Sequence, residues 1–155
     1  MKKNFVFAFL FTLVVSGSAF ANDPVGVSSV VKQSFEREFA GAQAISWEVV
    51  AQNSIYHAAF VYNGERLNAY FDSEGTLLAT GRYVKQESLP LLAVRALQER
   101  YGNLNVVETI EFVTGSQTSY IVKLENEKIK MFVQAYGDGS TTVLKKDKKN
   151  SVAKL

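Results

Sequence analysis

The dipeptide Asn63-Gly64 constrains this chain more than any other feature. It stands between two alternating runs, Ser54 to Tyr62 and Glu65 to Asp72. A two-residue type I′ turn needs positive φ at both central positions, and Asn-Gly supplies them most readily. The turn predicts a register. Tyr56, Ala58 and Phe60 face Phe71, Ala69 and Leu67 on one side of the ribbon. His57, Ala59 and Val61 face Tyr70, Asn68 and Arg66 on the other. The first side is wholly apolar and is expected to meet a core. The second is mixed and is expected to meet water or a partner. Asp72-Ser73-Glu74-Gly75 makes the next turn, with Gly75 suited to a left-handed position, and a third strand runs to Tyr83.

Around this stretch the chain has a regular plan. Ser28 or Ser29 caps a helix to about Phe39, whose apolar stripe is Val27, Val31, Phe35 and Phe39. Gly41 ends it. Ile45, Trp47 and Val49 alternate with Ser46 and Glu48 as a strand, with Trp47 read as a core residue. Further on, Ser88 is read as the cap of a second helix with Pro90 in its first turn. Its stripe is Ala93, Leu97 and Tyr101, widened by Leu92, Val94 and Ala96, and Gly102 follows as a C′ residue. Val106 to Val113 is the next strand, with Val106, Ile110 and Phe112 as inward candidates. Ser119 to Glu125 and Lys128 to Tyr136 pair around Asn126-Glu127. Gly137-Asp138-Gly139 then turns the chain into Ser140 to Leu144.

The halves align with each other. Phe35 and Phe39 match Leu97 and Tyr101; Tyr56, Ala58, Phe60 and Gly75 match Tyr120, Val122, Leu124 and Gly139. The expectation is an α+β fold built as an internal duplication. Two tandem repeats, about 27–83 and 88–144, each hold one helix and a four-stranded antiparallel meander, with both helices on one sheet face. Lys145 to Leu155 carries five lysines and little apolar mass, and is expected to be a frayed tail.

The first 21 residues have the features of a secretory signal. Lys2 and Lys3 form a basic start, Phe5 to Val15 an apolar run too short to span a bilayer, and Ala19-Phe20-Ala21 an A-x-A cleavage site. The mature protein is expected to begin at Asn22 and to be periplasmic or secreted. The absence of cysteine excludes lipid acylation at a thiol and leaves stability to packing. Without Lys2 and Lys3, the 17 basic residues become 15 and balance the 15 acidic ones, so nothing points to nucleic acid.

Signatures of catalysis are sparse. His57 is the single histidine, with no H-x-x-x-H or E-x-x-H spacing and no G-x-S-x-G elbow. Neither Asp72–Gly75 nor Gly137–Gly139 has the alternating ligands of a calcium loop. The reading is therefore non-enzymatic, without metal or cofactor. The feature with most functional promise is the outer sheet face, expected to show His57, Ala59, Val61, Arg66, Asn68 and Tyr70, then Ile121, Lys123, Lys130, Phe132, Gln134 and Tyr136. Tyrosine, phenylalanine and arginine on a rigid sheet are enriched at binding hot spots.

Taken together, Phe39-Ala40-Gly41-Ala42, Ile45-Ser46-Trp47-Glu48, Tyr56-x-Ala58-x-Phe60, Ala69-x-Phe71, Gly75 and Leu89-Pro90 resemble the PepSY-like family of secreted bacterial proteins. That family is described as β-lactamase-inhibitor-protein-like. The resemblance runs from Val27 to Leu144, with Ala40 where the family usually has proline. It implies helices on one sheet face and a concave opposite face, the face with which the β-lactamase inhibitor grips its enzyme. This chain lacks that inhibitor's disulfide cysteines. The implied function is binding or inhibition of an envelope protein or peptide. The alternative is a carrier holding a small molecule or peptide on the sheet or between helix and sheet.

Overall fold

The computed structural model describes residues 26–50 and 55–149. The expected signal segment, the cleavage point after Ala21 and the chain from residue 150 lie outside them. The elements are α1 (Ser29–Glu38), β1 (Gln43–Val50), β2 (Ile55–Tyr62), β3 (Glu65–Asp72), β4 (Leu77–Val84), a 3₁₀ turn (Gln86–Ser88), α2 (Leu91–Tyr101), β5 (Asn105–Thr114), β6 (Gln117–Glu125), β7 (Ile129–Tyr136) and β8 (Thr141–Lys148). By contact the described residues divide into two compact units, with the boundary between Arg82 and Tyr83.

The fold is α+β, but the expected pair of tandem four-stranded repeats is corrected by the sheet. The eight strands form one antiparallel sheet in the order β1 to β8, with two α-helices among the described residues. Backbone hydrogen bonding gives the reason. Two separate meanders would leave four edges of unpaired N–H and C=O groups, whereas one sheet leaves two.

The first unit follows its turn chemistry closely. Asn63 and Gly64 have φ of 51° and 81°, and β2 and β3 pair in the register that turn dictates, Tyr56 with Phe71 through Val61 with Arg66. Ser28 caps α1, its side chain accepting from the Val31 N–H. Val31 and Phe35 are buried against Tyr56, Ala58, Phe60, Ala69 and Phe71. The Phe35 ring meets Phe60 edge-on at 4.8 Å and Trp47 at 5.2 Å. Gly75, at φ 80°, sits against the helix; a Cβ there would lie 2.6 Å from Ser34 Oγ.

The second unit has an aliphatic core. Ala93 and Leu97 of α2 pack with Leu89, Leu104, Val122, Leu124, Met131, Val133 and Ala135. Three expectations change here. Ser88 belongs to the 3₁₀ turn, and α2 starts after Pro90 with no side-chain cap, because Pro90 holds the extended φ and ψ of an N-cap. Gly102 is right-handed at φ −62°; a side chain there would meet the Gln98 carbonyl oxygen. Lys145 to Lys148 are not a tail but the end of β8, each opposite a residue of β7. Their backbone groups complete the ladder while the side chains reach water.

The fourth change concerns β5. A bulge between Val106 and Glu108 reverses its alternation. Val106 stays on the helix side, opposite Leu124, whereas Ile110 and Phe112 fall opposite Ile121 and Ser119 on the other face. Both are buried, but not against α2.

Candidate functional site

Cross-strand rows define the face opposite the helices in each unit. In the first, Glu48, His57, Tyr70 and Ala79 form one row, and Ser46, Ala59, Asn68 and Gly81 the next. In the second the rows are Glu108, Lys123, Phe132 and Lys145, then Ile110, Ile121, Gln134 and Thr142, then Phe112, Ser119 and Tyr136. The candidate residues His57, Asn68 and Tyr70 thus share one patch, and Lys123, Lys130, Phe132, Gln134 and Tyr136 another. Arg66 lies opposite Val61, towards the Asn63-Gly64 end, and is exposed.

These patches do not face open water as expected. Tyr70 is 0% exposed, Phe132 2%, Gln134 3%, His57 8% and Asn68 9%. None belongs to the two helix-side cores. Lys123, Lys130 and Tyr136 are half-buried. Lateral pairing accounts for polar groups tolerating such a place, since a buried polar group without a partner costs about 1–3 kcal/mol. His57 Nε2 lies 2.8 Å from Asn68 Oδ1, one diagonal step across the ribbon. Gln134 Nε2 donates to Ser119 Oγ at 3.0 Å, also diagonally, and Ser119 Oγ donates to the Phe112 carbonyl.

Electrostatics separate the patches. The His57 ring lies on Tyr70, centroids 4.8 Å apart and planes 19° from parallel, and its Nδ1 is 3.9 Å from Glu48 Oε2. Burial holds the imidazole pKa below its ordinary value, against the Asn68 hydrogen bond and the Glu48 charge, which both raise it. In the second patch Lys130 Nζ stands 5.1 Å from the Phe132 ring centre. The Tyr136 hydroxyl is pushed up by burial and by Asp138; the Asp138 carboxyl is held down by its hydrogen bonds from Ser140. Among the described residues no cluster of three metal-ligating side chains occurs, and no helix is long and apolar enough to cross a membrane.

Sequence reasoning missed Glu48, Ser119, Ile110 and Phe112. Glu48 was within reach: Trp47 and Val49 point inward, so Glu48 must point outward. The β5 pair was hidden by the bulge. Between α1 and the sheet, Phe35, Phe39, Trp47 and Phe60 pack ring against ring. A cavity of about 450 Å³ lies instead in the second unit, between the Gln86–Leu89 turn, α2 and β5, with Leu97, Tyr101, Leu104, Val106 and Leu124 in its wall.

No protein-family model and no curated protein sequence matches the chain. Solved structures do. A Bacteroides eggerthii protein ascribed to the periplasm superposes with a TM-score of 0.67 at 15% identity, covering 79% of this chain and 88% of its own. A DUF2874 family protein of Bacteroides uniformis gives 0.66 at 16%, covering 78% and 88%. A BLIP-like protein of Bacteroides fragilis gives 0.62 at 19%, covering 86% and 95%. The fold is BLIP-like. At these identities the likeness concerns the backbone, and the BLIP-like fold hosts both patches without assigning them a ligand. The PepSY-like motifs fall on core and turn positions of this BLIP-like sheet, among them Trp47, Phe60, Phe71 and Gly75.

Proposed function

We propose that the chain is a non-enzymatic binding module of the periplasm or secreted space, which engages a protein or peptide of the cell envelope through the outer sheet face. Inhibition of an envelope enzyme is the sharper form of this reading. One observation carries it: the outer face lies outside both helix-side cores, has its buried polar side chains already paired with each other, and presents Arg66, Lys123, Lys130 and Tyr136 to solvent. A partner can cover such a face without orphaning His57, Asn68 or Gln134, so little desolvation is lost on binding. The fold shared with a periplasm-ascribed protein and with a BLIP-like protein supports the compartment and the class. PepSY-like membership rests on the motifs alone.

The test is capture from envelope extract by the purified mature protein, identification of the captured protein, and affinity measured on that pair. Arg66→Ala and Tyr136→Ala, at the candidate positions that reach solvent, should each weaken binding by about 2 kcal/mol or more, close to thirtyfold. Melting temperatures are recorded beside each, so that loss of affinity is separated from loss of fold. Affinity that survives both substitutions would reject the outer face.

The cavity of the second unit favours a second reading, a carrier of a small uncharged molecule. Its wall mixes aliphatic side chains with polar groups, among them Gln86, Gln98 and Asn105, and its volume lies in the range of small-molecule sites. Val94→Phe should narrow it, weakening ligand uptake while leaving envelope capture intact.

A further inference from the structure

We propose that His57 is a pH-operated latch on the outer face of the first unit: uncharged, it lies flat on Tyr70 and keeps the face dry; protonated, it turns toward Glu48 and lets water in. This extends the binding reading by saying when that face is open, and it concerns the free protein.

The geometry is that of a ring held between two opposing demands. In the neutral ring the Nε2–H donates to Asn68 Oδ1 at 2.8 Å. The remaining lone pair, on Nδ1, faces a carboxylate oxygen of Glu48 at 3.9 Å. Oxygen therefore stands opposite both nitrogens, an arrangement satisfied in full only by the imidazolium, which donates from both. Burial opposes that charge. The ring is 8% exposed and stacked on a tyrosine that is 0% exposed, while the Glu48 side chain is 52% exposed. The charged ring gains by moving toward Glu48 and water, and that movement unstacks Tyr70.

Among the described residues, the groups facing His57 from the packed strands are few. From β1 comes Glu48; from β3 come Tyr70 directly opposite and Asp72 one diagonal step away, opposite Ile55. From β4 come only Ala79 and Gly81, which carry no charge.

The direction of the effect follows. A histidine whose folded pKa lies below its ordinary 6.5 leaves stability intact above that value. The stability is lost as pH falls from about 6.5 towards the folded midpoint, and the loss levels off below it. Within that window the opening constant rises by at most about tenfold per pH unit.

The protein has one histidine, so the imidazole Cε1–Hε1 resonance needs no assignment by mutation. On the purified mature protein it should titrate below 6.5. The Tyr70 ring resonances and the fluorescence of added 8-anilinonaphthalene-1-sulfonate should follow the same midpoint, with the far-ultraviolet circular dichroism unchanged. Glu48→Gln should move the midpoint lower; His57→Gln should abolish the fluorescence rise. Titration at 6.5 with Tyr70 unmoved would overturn the latch. So would a fluorescence rise persisting in His57→Gln, or a loss of dichroism at the same midpoint, which means global unfolding. Should His57→Gln fail to fold, an unshifted midpoint in Glu48→Gln overturns it as well. No partner enters this experiment, so its failure would leave envelope capture standing.

Discussion

The outer patches of the two units use one device with different chemistry. Each holds a polar pair one diagonal step across a hairpin: His57 with Asn68, and Gln134 with Ser119. Each pair lies beside a buried ring, Tyr70 or Phe132. Only the first pair can change charge in the neutral range. The second has Lys123, Lys130 and Lys145 around Phe132. Lateral pairing is thus what lets a sheet face be dry, and the identity of the pair decides whether dryness depends on pH.

The helix-side cores extend the contrast and give the largest expected effects. Phe60 sits in an aromatic cluster and Leu124 in an aliphatic one. Phe60→Ala should cost about 3–5 kcal/mol and Leu124→Ala about 2–5 kcal/mol, measured by denaturant unfolding. A neutral result at either would misplace that core. At the close turn, Gly75→Ala should cost about 1–3 kcal/mol, because φ of 80° is strained for alanine and the new Cβ presses on Ser34. Gly139→Ala, at φ 85° and 3.2 Å from the Leu92 carbonyl oxygen, should cost no more, since a Cβ at Gly75 meets the Val30 carbonyl oxygen at the same 3.2 Å and the Ser34 hydroxyl besides. If Gly139→Ala proved the worse, that ordering would fall. Next come the hairpins: Gly64→Val should lower stability by about 1 kcal/mol or more, read from thermal melting. The smallest contrast is in acid. Between pH 7.5 and 5, wild type should lose stability where His57→Gln does not, and Gln134→Leu should retain the wild-type dependence. A dependence that follows Gln134 instead would exchange the roles of the patches.

Legibility differed along the chain for physical reasons. Asn63-Gly64 and the alternation of β2 and β3 specify one pairing, because a slip by one residue would turn Phe60 and Phe71 out of the core. The α1 stripe and the Ser28 cap were equally local. Bulges are not local in this sense. Nothing in Val106-Val107-Glu108 announces an extra residue, yet it decides that Phe112 joins the outer face. Ser88 failed because a proline two residues later took over the cap. Lys145 to Lys148 looked like solvated tail because strand pairing needs only backbone, and lysine side chains say nothing about it. Half of the candidate face was legible as orientation, since His57, Tyr70 and Phe132 do lie opposite the helices. Its dryness was not, because burial depends on what every neighbouring row contributes.

The two strands that end the sheet bear on how another copy of the chain could add to it. β8 ends in Lys145, Lys146, Asp147 and Lys148, and β1 carries a register shift with Ala44 at φ 51°. A second chain docking on β8 would have to align its own lysines against these, and one docking on β1 would meet a kinked ladder. Strand addition by another copy therefore meets unrelated obstacles at the two margins, charge at one and geometry at the other.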